Sequence, residues 1–229
     1  LTSRPIPSTL RDFSAPITLV EDLTEEEEHI LGSHDQNLFN RWSILRKLSF
    51  QTIEKFINYD KPIPDQLLSS IKKVLSSDNL SHAYKVLIAT TPSPHDNLTY
   101  LSTKGKTIDP LKIHKAIHHF NHELFLKCRD IIEEFFLSDT QVKNYASESE
   151  QAGLRALKLK LMDLFCYHDD GVKSVKDLYK NSSNMTDEIG SLSLLIKHNQ
   201  ITYELDQFYE KWKKNGNVID KWFYAQAKH

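Results

Sequence analysis

All eight prolines of this 229-residue chain lie at or before Pro110, and none follows. Proline locks φ and lacks a backbone N–H, so it ends or kinks a helix wherever it falls inside one. The second half is therefore free of the strongest helix breaker, and its apolar residues recur at helical spacing. Upstream the prolines punctuate. Pro62 and Pro64 separate two helices, and Pro92 and Pro94 form a TPSP loop that stops a helix over Leu80 to Ala89. Asp109 is placed to cap the longest helix, with Pro110 at its first position and its end near Leu137.

The remaining helix ends are read from side chains able to satisfy orphan backbone groups. Thr24 followed by Glu27 is a capping box, with Glu25 and Glu26 favourably placed against the helix dipole, and the EEEE run reads as a solvated first turn. Asn37 or Asp35 caps a helix carrying Phe39, Trp42, Leu45, Leu48 and Phe56, and another follows around Leu67, Leu68, Ile71, Val74 and Leu75. In the proline-free half the pattern predicts helices over Ser147 to Cys166, Gly171 to Lys180, Asn184 to His198, Ile201 to Lys214 and Val218 to Ala227. Gly216 is expected to supply a left-handed break between the last two. Short connections put neighbours side by side. The predicted fold is all-α, antiparallel helices in a curved superhelical layer of armadillo or HEAT type, although no fixed sequence period marks a repeat. Residues 1 to 20 differ: Pro5, Pro7 and Pro16 with an alternation around Ile17, Thr18 and Leu19 read as a short extended or edge strand, too short to be stable alone.

Composition excludes more than it identifies. Lys and Arg number 29 against 31 Asp and Glu, a net charge of −2, so no global field draws nucleic acid or an anionic membrane. No apolar run is long enough to cross a bilayer. Cys128 and Cys166 sit within apolar helical patterns and read as buried thiols rather than a disulfide framework. Sequons occur at Asn79, Asn97, Asn181 and Asn184, a pattern common by chance in a chain rich in Ser and Asn, and they are read as chance matches.

The constellation nearest to chemistry is IHKAIHHFNHE, where His114, His118 and His122 fall one turn apart on one helical face and Glu123 follows as in H-E-x-x-H. Leu126 stands where the second histidine of that motif belongs, so the favoured reading is a row of surface imidazoles. No serine or cysteine sits on a glycine-framed turn beside a base, and the scattered glycines form no phosphate-cradling loop. Lys211, Lys213, Lys214 and Lys221 interleave with Trp212 and Trp222, but Glu204, Asp206, Glu210 and Asp220 neutralise them. With Trp42, these tryptophans are expected in the core, lysines snorkelling outward. Asn184 is placed to cap a helix bearing Ile189, Leu192, Leu195 and Ile196, with Asp187 in its first turn, a structural device that calls for no catalysis. The chain thus carries no candidate catalytic, cofactor-binding or metal-binding residue of its own.

Three segments in order, RDFSAPITL from Arg11, HDQNLFNRW from His34, and NMTDEIGSLSLLIKHNQITYELDQFYEKWKKNGNVIDKWFYAQA from Asn184, resemble the C-terminal helical region of the aminopeptidase N family of zinc-dependent peptidases. The resemblance implies that residues 1–20 end a β-sandwich and that residues 21–229 belong to a helical C-terminal domain continuing past the last residue. It implies a cytoplasmic enzyme releasing N-terminal residues from peptides. Its zinc, general base and amine-binding carboxylates would lie on a catalytic domain before Leu1, since H-E-x-x-H and G-A-M-E-N are absent here. This region would then have the enzyme's own catalytic and β-sandwich domains and its peptide substrates as partners, and would cap the active-site cavity. Two departures stand out: Leu159, where the family commonly has a polar residue such as Asn, and Gly190, in a helix that is usually richer in Ala. The alternatives are a free-standing helical interaction module and a peptidase-like protein without its catalytic domain.

Overall fold

The computed structural model describes residues 4–13, 17, 20–106, 109–137 and 146–228. Among these are eleven α-helices and no strand. Thr18 and Leu19, on which the extended reading of the N-terminus rests, lie outside the described residues, and Arg11–Phe13 forms a single 3-10 turn. The chain divides into two compact units, Leu1–Ile131 and Ile132–His229.

In the first unit α1 (Glu25–His34) opens on the predicted capping box: the Glu27 N–H donates to Thr24 Oγ1 at 3.2 Å and the Thr24 N–H to Glu27 Oε2 at 2.9 Å. Both candidate caps of α2 (Leu38–Tyr59) are used. Asn37 Oδ1 accepts from the Asn40 N–H at 3.1 Å, and Asp35 Oδ1 accepts from the Asn37 N–H at 2.9 Å. Asp60, in the left-handed region at φ 49°, ends α2 before Pro62. Then come α3 (Asp65–Leu75), α4 (His82–Ala89) and α5 (Pro94–Thr103). The TPSP segment is more than a loop. Ser93 caps α5, Pro94 occupies its first position, and Asp96 closes a second capping box, its Oδ2 accepting from the Ser93 N–H at 2.9 Å.

Helix α6 (Pro110–Leu137) begins as predicted, with the Leu111 N–H donating to Asp109 Oδ1 at 3.0 Å. Its buried face, including Ile113, Phe120, Leu124 and Cys128, belongs to the same unit as the buried Leu45, Ile53, Leu67 and Ile71 of α2 and α3. Salt bridges from Lys72 to Asp130 and from Lys127 to Asp65, each 2.7 Å, join α3 to α6 at the surface.

The second unit is built from α7 (Ser149–Phe165), α8 (Asp169–Asn181), α9 (Met185–Lys197), α10 (Glu204–Trp212) and α11 (Gly216–Lys228) around Met162, Val175, Tyr179, Leu192, Leu195, Phe208 and Val218. The turn from α7 into α8 requires Gly171, where a Cβ would stand 2.1 Å from the Phe165 carbonyl oxygen. Gly190 plays the matching role between α7 and α9, because a Cβ there would lie 2.5 Å from Leu159 Cδ1 and 2.9 Å from Cδ2. The two departures from the family pattern therefore face each other. Gly216, by contrast, is not a left-handed break: it starts α11, and among the described residues of this unit the positive φ belongs to Asn199, at 54° after α9.

The tryptophans are covered for the most part, as their spacing predicts, but none is fully buried: Trp42, Trp212 and Trp222 each keep some exposure, and Phe223 is 59% exposed. Trp212 and Trp222 pack against the core of the second unit and turn the ring N–H to a polar partner. Trp212 Nε1 donates to Glu188 Oε1 at 3.2 Å and Trp222 Nε1 to the Leu205 carbonyl at 3.1 Å.

Candidate functional site

The densest grouping of ionisable side chains lies between α7 and α9. Asp163 is embedded in the apolar run Leu161–Met162–Asp163–Leu164 and is only 7% exposed. Lys197 Nζ donates to both its oxygens at 2.6 and 2.7 Å, His198 Nε2 lies 3.0 Å from Oδ1, and Lys160 Nζ reaches Oδ2 at 3.3 Å. Tyr167 packs its ring edge-on against the His198 imidazole at 5.5 Å. Burial by itself would raise the Asp163 pKa, but Lys160, His198 and Lys197 overcome it and hold the carboxyl far below the usual range. Burial lowers the Lys160 ammonium in turn, against the pull of Asp163. A carboxylate saturated by three partners has no lone pair poised for proton transfer, so the cluster joins helices rather than performing acid–base chemistry.

The NMTD turn builds a second junction. Asn184 Oδ1 accepts from the Asp187 N–H at 2.9 Å, which is the predicted cap. Asp187 does more than favour the dipole: it is buried, and its Oδ2 accepts from Lys158 of α7 at 2.9 Å and from Asn184 Nδ2 at 3.1 Å. Next to it the buried Glu188 takes Lys211 of α10 at 2.7 Å as well as the Trp212 indole. One turn of α9 thus grips α7 with one carboxylate and α10 with the next. Lys213 pairs with Glu210, so the two lysines flanking Trp212 are both engaged by carboxylates.

The histidine row of α6 does not assemble into a metal centre. His114 and His118 are exposed and His122 is half-buried. His119, between them, stacks on Phe56 at 4.7 Å, and Glu123 approaches His119 and His122 at 4.0 and 3.4 Å. Among the described residues no group of three or more His, Cys, Asp or Glu is placed to hold a metal ion, so these residues do not fit the donor set of a zinc site. Both cysteines are free thiols, Cys128 buried and Cys166 half-buried, and burial pushes each up to about 12. Neither is a thiolate nucleophile near neutrality. Two open grooves accompany these features. One of about 450 Å³ is lined by the paired charges Glu25, Glu28, Lys47, Glu54, Lys55 and Lys104, and one of about 630 Å³ by Tyr167, His168, Lys173 and Lys176 among others. No described helix is long and apolar enough to cross a membrane.

Sequence reasoning missed both helix junctions. The available signal was a charged residue inside an apolar run, Asp163 in LMDLF, and two adjacent acids at a helix start, Asp187 and Glu188.

The architecture has relatives. Residues 25–229 match the family model described as a domain of unknown function (DUF3458_C), ARM repeats. The chain belongs to this family. It is 26% identical over 234 residues to aminopeptidase N of Caulobacter vibrioides, 27% over 231 residues to that of Haemophilus influenzae, and 24% over 233 residues to that of Escherichia coli. In each case 98% of this chain is covered but only 26% of the relative, so the chain spans about a quarter of their length. The crystal structure of Legionella pneumophila aminopeptidase A in complex with aspartic acid shares the fold, with a TM-score of 0.83 at 23% identity over 99% of this chain and 28% of that one. The ARM-repeat domain is thus similar to the helical C-terminal region of an aminopeptidase N, as the three sequence segments indicated.

Proposed function

We infer that this ARM-repeat domain is the non-catalytic C-terminal part of a zinc-dependent aminopeptidase that removes N-terminal residues from peptides, and that it caps the active-site cavity. The observation that carries the reading is the end-to-end match to three aminopeptidases, at 98% of this chain and 26% of each relative, by a chain whose described residues form no metal-donor group. In this reading the zinc and the proton-transferring groups sit on the parent's catalytic domain. That domain, the β-sandwich domain and the peptide are the partners. Within the second unit the Asp163, Asp187 and Glu188 junctions tie neighbouring helices at defined registers, and helices fixed in this way would restrict peptide size and exclude water from the reacting bond. Free thiols, Cys128 among them, agree with a cytoplasmic setting.

A free-standing interaction module is the second reading, favoured by the aromatic surface of α11, where Phe223 is 59% and Tyr224 66% exposed. The two separate in the parent protein cut before Glu21. Under the first reading the catalytic piece keeps its zinc, turns over peptides more slowly and admits bulkier substrates. Unchanged kinetics and unchanged size selectivity in a well-folded truncation would overturn it and leave the module reading.

A further inference from the structure

His29 is the one histidine of α1 set on its buried side: it is 4% exposed, and its Nδ1 is shut off from solvent with no hydrogen-bond partner. Around it α1 is tied down by charge. Glu25, one turn earlier, accepts from Lys55 of α2 at 2.8 and 3.0 Å, and the adjacent Glu28 is paired with Lys47 of α2. Arg41 of α2 donates to the Gly32 and Ser33 carbonyls at 3.2 and 2.8 Å, completing the α2 side. On the α3 side Ser33 meets Ser70 at 2.6 Å and His34 lies 3.3 Å from Lys73, while Lys72 and Asp65 are engaged with α6. From the N-terminal segment Arg4 approaches Glu27 at 3.9 Å, and Lys61 acts on Glu25 from beyond α2.

A neutral imidazole is tolerated at such a position, since one of its nitrogens carries no proton and the loss of a single acceptor contact is modest. An imidazolium is not, because both nitrogens become donors and the charge loses water. The carboxylate that acts on it most strongly is Glu25, and a contact with it means competing with Lys55 for the pairing that fastens α1 to α2. We propose that α1 is an acid-released strap, held against α2 and α3 while His29 is neutral and freed over Glu25–His34 when that side chain takes up a proton.

The direction of titration agrees. Burial lowers the His29 pKa, and Lys55 adds to this, against the opposing pull of Glu25 and Glu28. The folded state therefore binds this proton less readily than the unfolded chain. The stabilisation is complete above the ordinary histidine pKa of about 6.5 and is lost as pH falls below it.

Hydrogen exchange followed by mass spectrometry on the whole chain at pH 7.5 and 5.5, corrected for intrinsic rates, reads the strap directly. The opening equilibrium of α1 amides should rise about threefold or more at the lower pH while those of α6 stay constant. In His29→Phe, and in His29→Gln should the first not fold, the rise should vanish. Unchanged α1 protection in the unsubstituted chain, or an equal rise in the variants, would overturn the proposal. So would an NMR titration placing the His29 ring at or above the free-histidine value.

Discussion

Gly190→Ala is the substitution in which packing and propensity oppose each other most directly. In an unencumbered helix interior, glycine to alanine stabilises by about 1 kcal/mol. Here the added Cβ would meet Leu159 Cδ1 at 2.5 Å, Cδ2 at 2.9 Å and Cγ at 3.3 Å. No single methyl rotation clears all three, so the whole isobutyl group must leave its rotamer or α9 must retreat from α7. Overpacking of this kind costs about 1–3 kcal/mol. Leu159 is only half-buried, which leaves it some room to yield and places the cost near the middle of that range. The net expectation is a loss of ~1 kcal/mol. In a Leu159→Ala background the obstacle is gone, and the same Gly190→Ala change should stabilise by about 0.5–1 kcal/mol, a coupling near 2 kcal/mol. Urea unfolding read by tryptophan fluorescence in a Trp42→Phe background isolates the second unit, since Trp212 and Trp222 both lie in it. Gly190→Ala proving neutral or stabilising by itself, or the two changes adding within about 0.5 kcal/mol, would refute the reasoning.

Asp163→Ala should destabilise the second unit by about 3 kcal/mol, because it strands the buried Lys160 ammonium and removes the partner shared by Lys197 and His198. Since the Asp163 pKa is depressed, the stabilisation is present above the unfolded carboxyl value of about 3.9 and is lost as pH falls below it. Denaturant midpoints between pH 5 and pH 2 should therefore fall more steeply in the unsubstituted chain than in Asp163→Asn. Trp222→Ala should cost about 2 kcal/mol, below the ~3–5 of a fully buried tryptophan, because part of the indole is already solvated. A measured loss above 4 or below 0.5 kcal/mol, limits set by core and surface behaviour, would place the ring elsewhere.

Helix starts were the most legible part of the fold, because a cap is a signal written within four residues. Thr24 with Glu27, Asn37, Asp109 with Pro110, and Asn184 all act where their spacing placed them. The same chemistry at Ser93 and Asp96 is masked in the sequence by Pro92 and Pro94, which read as breakers although Pro94 is a helix starter at that position. Burial was less legible. Apolar spacing tells which side of a helix faces inward but not how much of a large ring is covered, so the residual exposure of Trp42, Trp212 and Trp222 is not legible in it. The junctions were least legible of all: Asp163 meets Lys197 and His198 across 34 and 35 residues, and a local window contains no trace of that pairing. Leu159 and Gly190 stood out singly, and only their contact makes them one feature.

The Asp163 cluster also bears on how such a chain can change over generations. Replacing every member with apolar residues of similar volume could leave stability intact or raise it, whereas replacing Asp163 alone strands its cationic partners and costs several kcal/mol. The route from one solution to the other therefore crosses a valley that single substitutions do not bridge. A cluster with no chemistry of its own can still be entrenched, and the register of α7 against α9 is inherited along with it.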